Sequence, residues 1–174
     1  MLAKQGWRLI NDEDSLCSRV LKATYFWNRN FLEAPQGYNL SFTWSSLYEV
    51  REVLKNGLKW SADNGIKTEI WKDNWVPMRE PLTPAPSNVL DHNARVSQMI
   101  VWDNGEWDHE LIRQCFDDAT VQAIIWIPLS HRLCADILIW SKHSTENYMV
   151  KSGYRLANGI VNGVAIENVI VPIR

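Results

Sequence analysis

Between residues 76 and 95 the chain carries Pro77, Pro81, Pro84 and Pro86 and shows no apolar period. Proline fixes φ, lacks an N–H and restricts the residue before it, so neither a helix nor a central strand can run through this stretch. It reads as a long irregular connection. The rest of the chain is also punctuated at short intervals by Gly, Asn and Asp, so the elements on either side must be short. The 174 residues include ten tryptophans, most at core-facing helical or strand positions beside aliphatic residues, which suits packing better than an exposed stacking row.

Residues 2–10 read as an amphipathic helix. Asp14 or Ser15 can cap a second, running through Leu16, Val20 and Leu21 to about Tyr25. Ser41 or Thr43 can cap a third, with Trp44, Leu47, Val50 and Leu54 on one face. Asn56-Gly57 ends it, with Gly57 as the expected left-handed cap. Asp63-Asn64-Gly65 suits a three-residue hairpin loop with Gly65 left-handed. That register places Leu58, Trp60, Ala62, Ile66, Thr68 and Ile70 on one face. A two-residue Asn-Gly turn would mix apolar and charged residues there. Trp107–Phe116 reads as a helix capped by Asp108. Asp118 can cap the next, which Pro128 stops. Asp136–Trp140 is a strand by composition, Tyr148–Val150 its return, and Ser152 can cap a last helix. The expectation is an α+β fold: short helices, two small β-hairpins at about 58–70 and 136–150, and the irregular connection over 76–95.

Net charge is −2, which argues against a dedicated nucleic-acid binder. Residues 102–147 hold eight Asp/Glu against three Lys/Arg and oppose phosphate. Trp71 and Trp75 lie near Lys59, Lys67 and Lys72, and these five are the candidate nucleic-acid-binding residues, for a weak and non-specific contact. No phosphate loop, nucleophile elbow or paired-histidine motif is present. Asp103, Glu106 and Asp108 could pair as catalytic carboxylates, but acids at a helix start have an ordinary dipole reason. His131-Arg-Leu-Cys134 is half of a zinc motif, with His109, Cys115 or His143 as conceivable partners. Zinc sites usually carry two short spacings, so neither zinc nor another cofactor is expected, and no small-molecule substrate. No run reaches the ~18 apolar residues of a membrane span. The N-terminal residues lack the apolar core of a secretory signal. The expected setting is therefore intracellular, with reduced thiols at Cys17, Cys115 and Cys134 and no use for the Asn39-Leu-Ser41 sequon.

One ordered series of segments goes further. Leu2-Ala-Lys-Gln-Gly-Trp-Arg-Leu9 is followed by Arg19-Val-Leu-Lys-Ala-x-Tyr-Phe26. Ser41-Phe-Thr-Trp-Ser-Ser46 then precedes Arg51-Glu-Val-Leu-Lys-x-Gly57 and Trp60-x3-Asn-Gly65. Next come Ile70-Trp-Lys-Asp-x-Trp-Val-Pro77, Trp107, Ile127-Pro-Leu129, Asp136-x-Leu-x-Trp140 and Tyr148-x-Val-Lys-Ser-Gly-Tyr154. In order and spacing, residues 1–157 resemble the segment after the polymerase in plant non-LTR (LINE-type) retrotransposon reverse transcriptase polyproteins. In that family the Val-Lys-Ser-Gly-Tyr segment opens a reverse-transcriptase zinc-binding region whose ligands lie further downstream, and the polymerase aspartates lie upstream. Neither set falls on a position of this chain. Glu146-Asn147 stands where the family commonly has a glycine before Tyr148, and residues 158–174 depart from the family as a divergent, poorly ordered tail. The resemblance implies a non-catalytic, truncated piece of a transposable element. The alternative is a domesticated tryptophan-rich module that binds a protein or single-stranded nucleic acid. An independent hydrolase using the acids at 103–108 is the third reading.

Overall fold

The computed structural model describes residues 2–38, 41–78, 82, 89–130 and 134–161. Among them the chain forms seven α-helices: α1 (Leu2–Asn11), α2 (Leu16–Tyr25), α3 (Phe42–Glu49), α4 (Arg51–Gly57), α5 (His109–Cys115), α6 (Asp118–Ile125) and α7 (Val150–Val161). Four short strands, β1 (Leu58–Ser61), β2 (Ile100–Val101), β3 (Glu106–Trp107) and β4 (Ile137–Trp140), make two two-stranded sheets, β1 with β4 and β2 with β3. The class is α+β, as the alternation of periods indicates.

Side-chain caps set the starts of α2, α3, α5 and α6, because the first turn leaves N–H groups without partners. Ser15, Ser41, Asp108 and Asp117 each accept a backbone N–H from the residue three positions on. Asp117 takes the role expected of Asp118, which becomes the first helical residue. α3 and α4 are separate helices divided at Val50, where the sequence reads as one.

The chain divides into two compact units, residues 1–58 with 139–174, and residues 59–138. In the first, Trp44 is the hub of an aromatic cluster. Tyr25 stacks on it at 4.7 Å, Phe26 at 5.5 Å, and Phe31 meets it edge-on at 6.1 Å. The Trp44 indole N–H donates to Gln36 O at 3.0 Å. A second cluster forms around Trp140, which meets Tyr148 at 4.8 Å and Trp7 at 6.4 Å. Its indole donates to Ser152 Oγ at 2.8 Å. Ser152 therefore anchors a tryptophan, and α7 begins two residues before it. The divergent segment expected from residue 158 has its first four residues in α7, and 162–174 lie outside the described residues.

Gly57 has a different job from the one its position suggests. It is not among the glycines with positive φ. The buried Trp140 ring lies against it, so that a Cβ would sit 2.1 Å from two ring carbons. Close approach, not a left-handed cap, requires glycine here.

In the second unit a core of Ile70, Trp75, Val96, Met99, Ile112 and Ile124 lies beneath loops and short helices. The strand pairing differs from the expected hairpins. β1 pairs with β4, and the Ser141 N–H to Gly57 O bond lies at one end of the pair. Residues 65–70 turn to 94–97 instead: Val96 N–H donates to Thr68 O at 3.0 Å, and Ile70 N–H to Ala94 O at 2.9 Å. Ile66, expected inward, is consequently exposed, while Thr68 and Ile70 are fully buried. Tyr148–Val150 forms no strand. The chain after β4 turns back only far enough for Trp140 N–H to reach Glu146 O at 2.8 Å. The β2–β3 hairpin turns on Asp103-Asn104-Gly105, with Gly105 at φ 67°. This repeats Asp63-Asn64-Gly65, where Gly65 has φ 66°, the same local turn chemistry.

Candidate functional site

The candidate residues near position 70 all lie in the second unit. Trp75 is buried, tilts against Trp107 at 6.1 Å and donates to Ile70 O at 3.1 Å. It has no face to offer a base, which corrects its assignment as a stacking residue. Trp71 is half-buried, packs on Phe116 at 5.3 Å and donates to Asp91 O at 3.0 Å. Lys59 is half-buried in β1. Lys72 is exposed, but its Nζ lies 2.8 Å from Glu69 and donates to Asn93 Oδ1 at 2.9 Å. Lys67 is exposed, and its backbone N–H faces inward to Asp136. The segment brings the five together in sequence but spends both tryptophans on packing.

The local electrostatics also disfavour phosphate. Glu69 and Asp73 stand beside these lysines, with Asp73 accepting the Glu69 N–H at 2.7 Å. Burial pushes the Asp73 carboxyl up and the Glu69 charge adds to that, against the hydrogen bonds it receives.

The best-built polar site is one that sequence reasoning read only as the start of a strand. Asp136 is 2% exposed. Its Oδ1 accepts the N–H groups of Asp63 and Gly65, each at 2.8 Å. Its Oδ2 accepts Lys67 N–H at 2.9 Å, Thr68 N–H at 3.1 Å and the Thr68 hydroxyl at 3.0 Å. Burial opposes ionisation, but these bonds outweigh it and hold the carboxyl below its ordinary range. Asp63 answers in the other direction: its two oxygens accept Ser130 N–H and Cys134 N–H, both at 2.8 Å. Acid at the head of a strand, opposite an Asn-Gly turn, was the available signal.

This use of carboxylates explains the charge. The second unit carries twelve Asp/Glu against seven Lys/Arg. Six of those acids, Asp63, Asp73, Asp91, Asp108, Asp117 and Asp136, accept backbone N–H groups of loops and helix starts. A loop-rich unit has many amides outside helix and sheet ladders, and ionised oxygens satisfy them well.

The acids at 103–108 lie along the β2–β3 turn and at the start of α5. Asp103 and Glu106 are exposed, Glu106 is held by Asn104 at 2.8 Å, and Asp108 caps α5. For the zinc half-motif, Cys134 is exposed and His131 lies outside the described residues. Among the described residues no three His, Cys, Asp or Glu side chains gather around a point. No helix among them is long and apolar enough to cross a membrane. In the first unit, a groove of about 420 Å³ runs between α1, α2 and α3, lined by Leu2, Leu9, Leu21 and Leu47 with Arg8 and Cys17.

No protein-family model and no solved structure matches the chain. Two curated plant proteins are similar to it. An uncharacterized mitochondrial protein of Arabidopsis thaliana is 37% identical over 84 residues, 48% of this chain and 54% of that protein. A second Arabidopsis thaliana protein, provisionally named a ribonuclease H protein, is 32% identical over 81 residues, 44% of this chain and 13% of that protein. The chain thus spans about half the length of the first relative and a small part of the second.

Proposed function

We propose that this chain is a non-catalytic connecting segment of a plant retroelement polyprotein of the non-LTR, LINE type. The observation that carries the reading is what the motif residues do. Along the series of segments that resembles that family, the chemically distinctive side chains hold the fold. Ser41 caps α3, and Trp44 centres an aromatic cluster. The Arg51 guanidinium is buried against Ala34 O and lies over the Tyr48 ring at 4.0 Å. Trp75 and Trp107 fill a core, Asp136 gathers a loop, and Trp140 is fastened by Ser152. Side chains committed to packing and to backbone amides position neighbouring domains and leave chemistry to others. The similarity to two Arabidopsis proteins, one bearing a ribonuclease H name, supports a mobile-element source.

The test is direct. Purified full chain is incubated with magnesium on a primed RNA template and on an RNA–DNA hybrid. No extension and no cleavage is the expected result. Cleavage of the hybrid that disappears when Asp103, Glu106 and Asp108 are replaced together by their amides would overturn the reading. The second reading, a domesticated interaction module, rests on Trp27, Trp102 and Trp126, which are 75%, 51% and 79% exposed. It calls for tight binding of a partner or of single-stranded nucleic acid.

A further inference from the structure

We infer that the loop Asp63–Thr68 is a carboxylate-binding nest, which the protein fills from within with the side chain of Asp136. Gly65 in the left-handed conformation turns successive backbone N–H groups to one side of the loop, the arrangement that makes a concave anion site. Glycine is required twice over, since a Cβ at position 65 would also lie 2.3 Å from the Ser97 backbone nitrogen. Four N–H groups and one hydroxyl converge, two donors on one carboxylate oxygen and three on the other, all within 2.8 to 3.1 Å. Thr68 is fully buried and Asp136 is 2% exposed, so water does not share the site. Among the described residues no Lys, Arg or His forms an ion pair with Asp136. The anion is held by amide dipoles and one hydroxyl. This donor set recognises a planar group with two oxygens, and its chemistry does not depend on the carboxylate being covalently attached.

Size then decides which free acid replaces the side chain. Asp136→Ala removes the carboxyl and keeps Cβ, leaving room for formate. Asp136→Gly removes Cβ as well, leaving room for acetate. Thermal unfolding of the full chain is followed for wild type and both variants in sodium formate, sodium acetate and sodium chloride at matched ionic strength. Both variants are expected to melt lower than wild type. Formate should raise the melting temperature of the Ala variant saturably, by roughly 3–6 °C at ten times its dissociation constant. Acetate should do the same for the Gly variant and do little for the Ala variant. Chloride should reproduce neither effect. Equal shifts in all three salts, or shifts equal to those of wild type, would overturn the nest. If neither variant folds, Asp136→Asn provides the second measurement, because its amide keeps only one acceptor oxygen. Hydrogen exchange should then speed up at one pair of amides, Asp63 and Gly65 or Lys67 and Thr68. Unchanged protection at all four would refute the inference.

Discussion

Replacing Glu146 by glycine should make this protein more stable. Glu146 has φ 56° and is the non-glycine residue with positive φ among those described. The conformation is imposed from both sides: Glu146 N–H donates to His143 O at 3.0 Å, and Glu146 O accepts Trp140 N–H at 2.8 Å. The left-handed region costs an L-residue about 1–2 kcal/mol, because Cβ crowds the following carbonyl. Glycine escapes that cost but loses about 0.5–1 kcal/mol more backbone entropy on folding. The side chain gives nothing to set against this, since it is exposed and its carboxylate has no hydrogen bond or ion pair among the described residues. The net expectation is a gain of about 0.5–1 kcal/mol, or a melting temperature higher by roughly 1–4 °C. Urea and thermal unfolding of wild type, Glu146→Gly, Glu146→Asn and Glu146→Ala form the assay. Asparagine tolerates the left-handed region and should gain part of the effect, while alanine, which keeps Cβ, should gain almost none. A glycine variant no more stable than wild type would refute the argument. An alanine variant that gains as much would place the effect in the side chain instead.

Three further perturbations follow from other parts of the structure. Gly57→Ala drives a methyl into the buried Trp140 ring, so a loss of about 1–3 kcal/mol is expected, with altered near-ultraviolet circular dichroism; wild-type stability would contradict the close approach. Trp71→Ala should cost about 2 kcal/mol of stability for a half-buried ring and leave a titration with a short single-stranded oligonucleotide unchanged; tight wild-type binding at moderate salt that the variant loses would restore Trp71 as a stacking residue. The lowered carboxyl of Asp136 stabilises the fold fully above about pH 5 and progressively less as pH falls through its folded value. Urea midpoints of wild type should therefore fall over that acid range more steeply than those of Asp136→Asn, and parallel curves would count against the assignment.

Much of the local structure was legible in the residues alone. Ser15, Ser41 and Asp108 cap helices because a short oxygen-bearing side chain before an apolar period meets orphaned N–H groups at three-residue spacing, a purely local fact. Gly65 is left-handed because Asp-Asn-Gly between apolar runs needs one positive φ. The turn before Tyr148 was not legible from the residues themselves: glutamate carries no signal for the left-handed region, and Glu146 occupies it at a cost. What tertiary structure decided was pairing. β1 and β4 each carry strand composition, but nothing within either segment names its partner about 80 positions away. The choice is made by Asp136 and Asp63, whose carboxylates bind amides across 67 to 73 residues of chain. Trp75 and Trp71 likewise read the same in sequence, beside the same lysines; only the core under Ile70 and the ring of Phe116 determine that both are packed. Periodicity and caps act over one helical turn or one strand. A buried carboxylate or an indole finds its partner only when the folded chain removes water from both, and that partner can lie anywhere in the sequence.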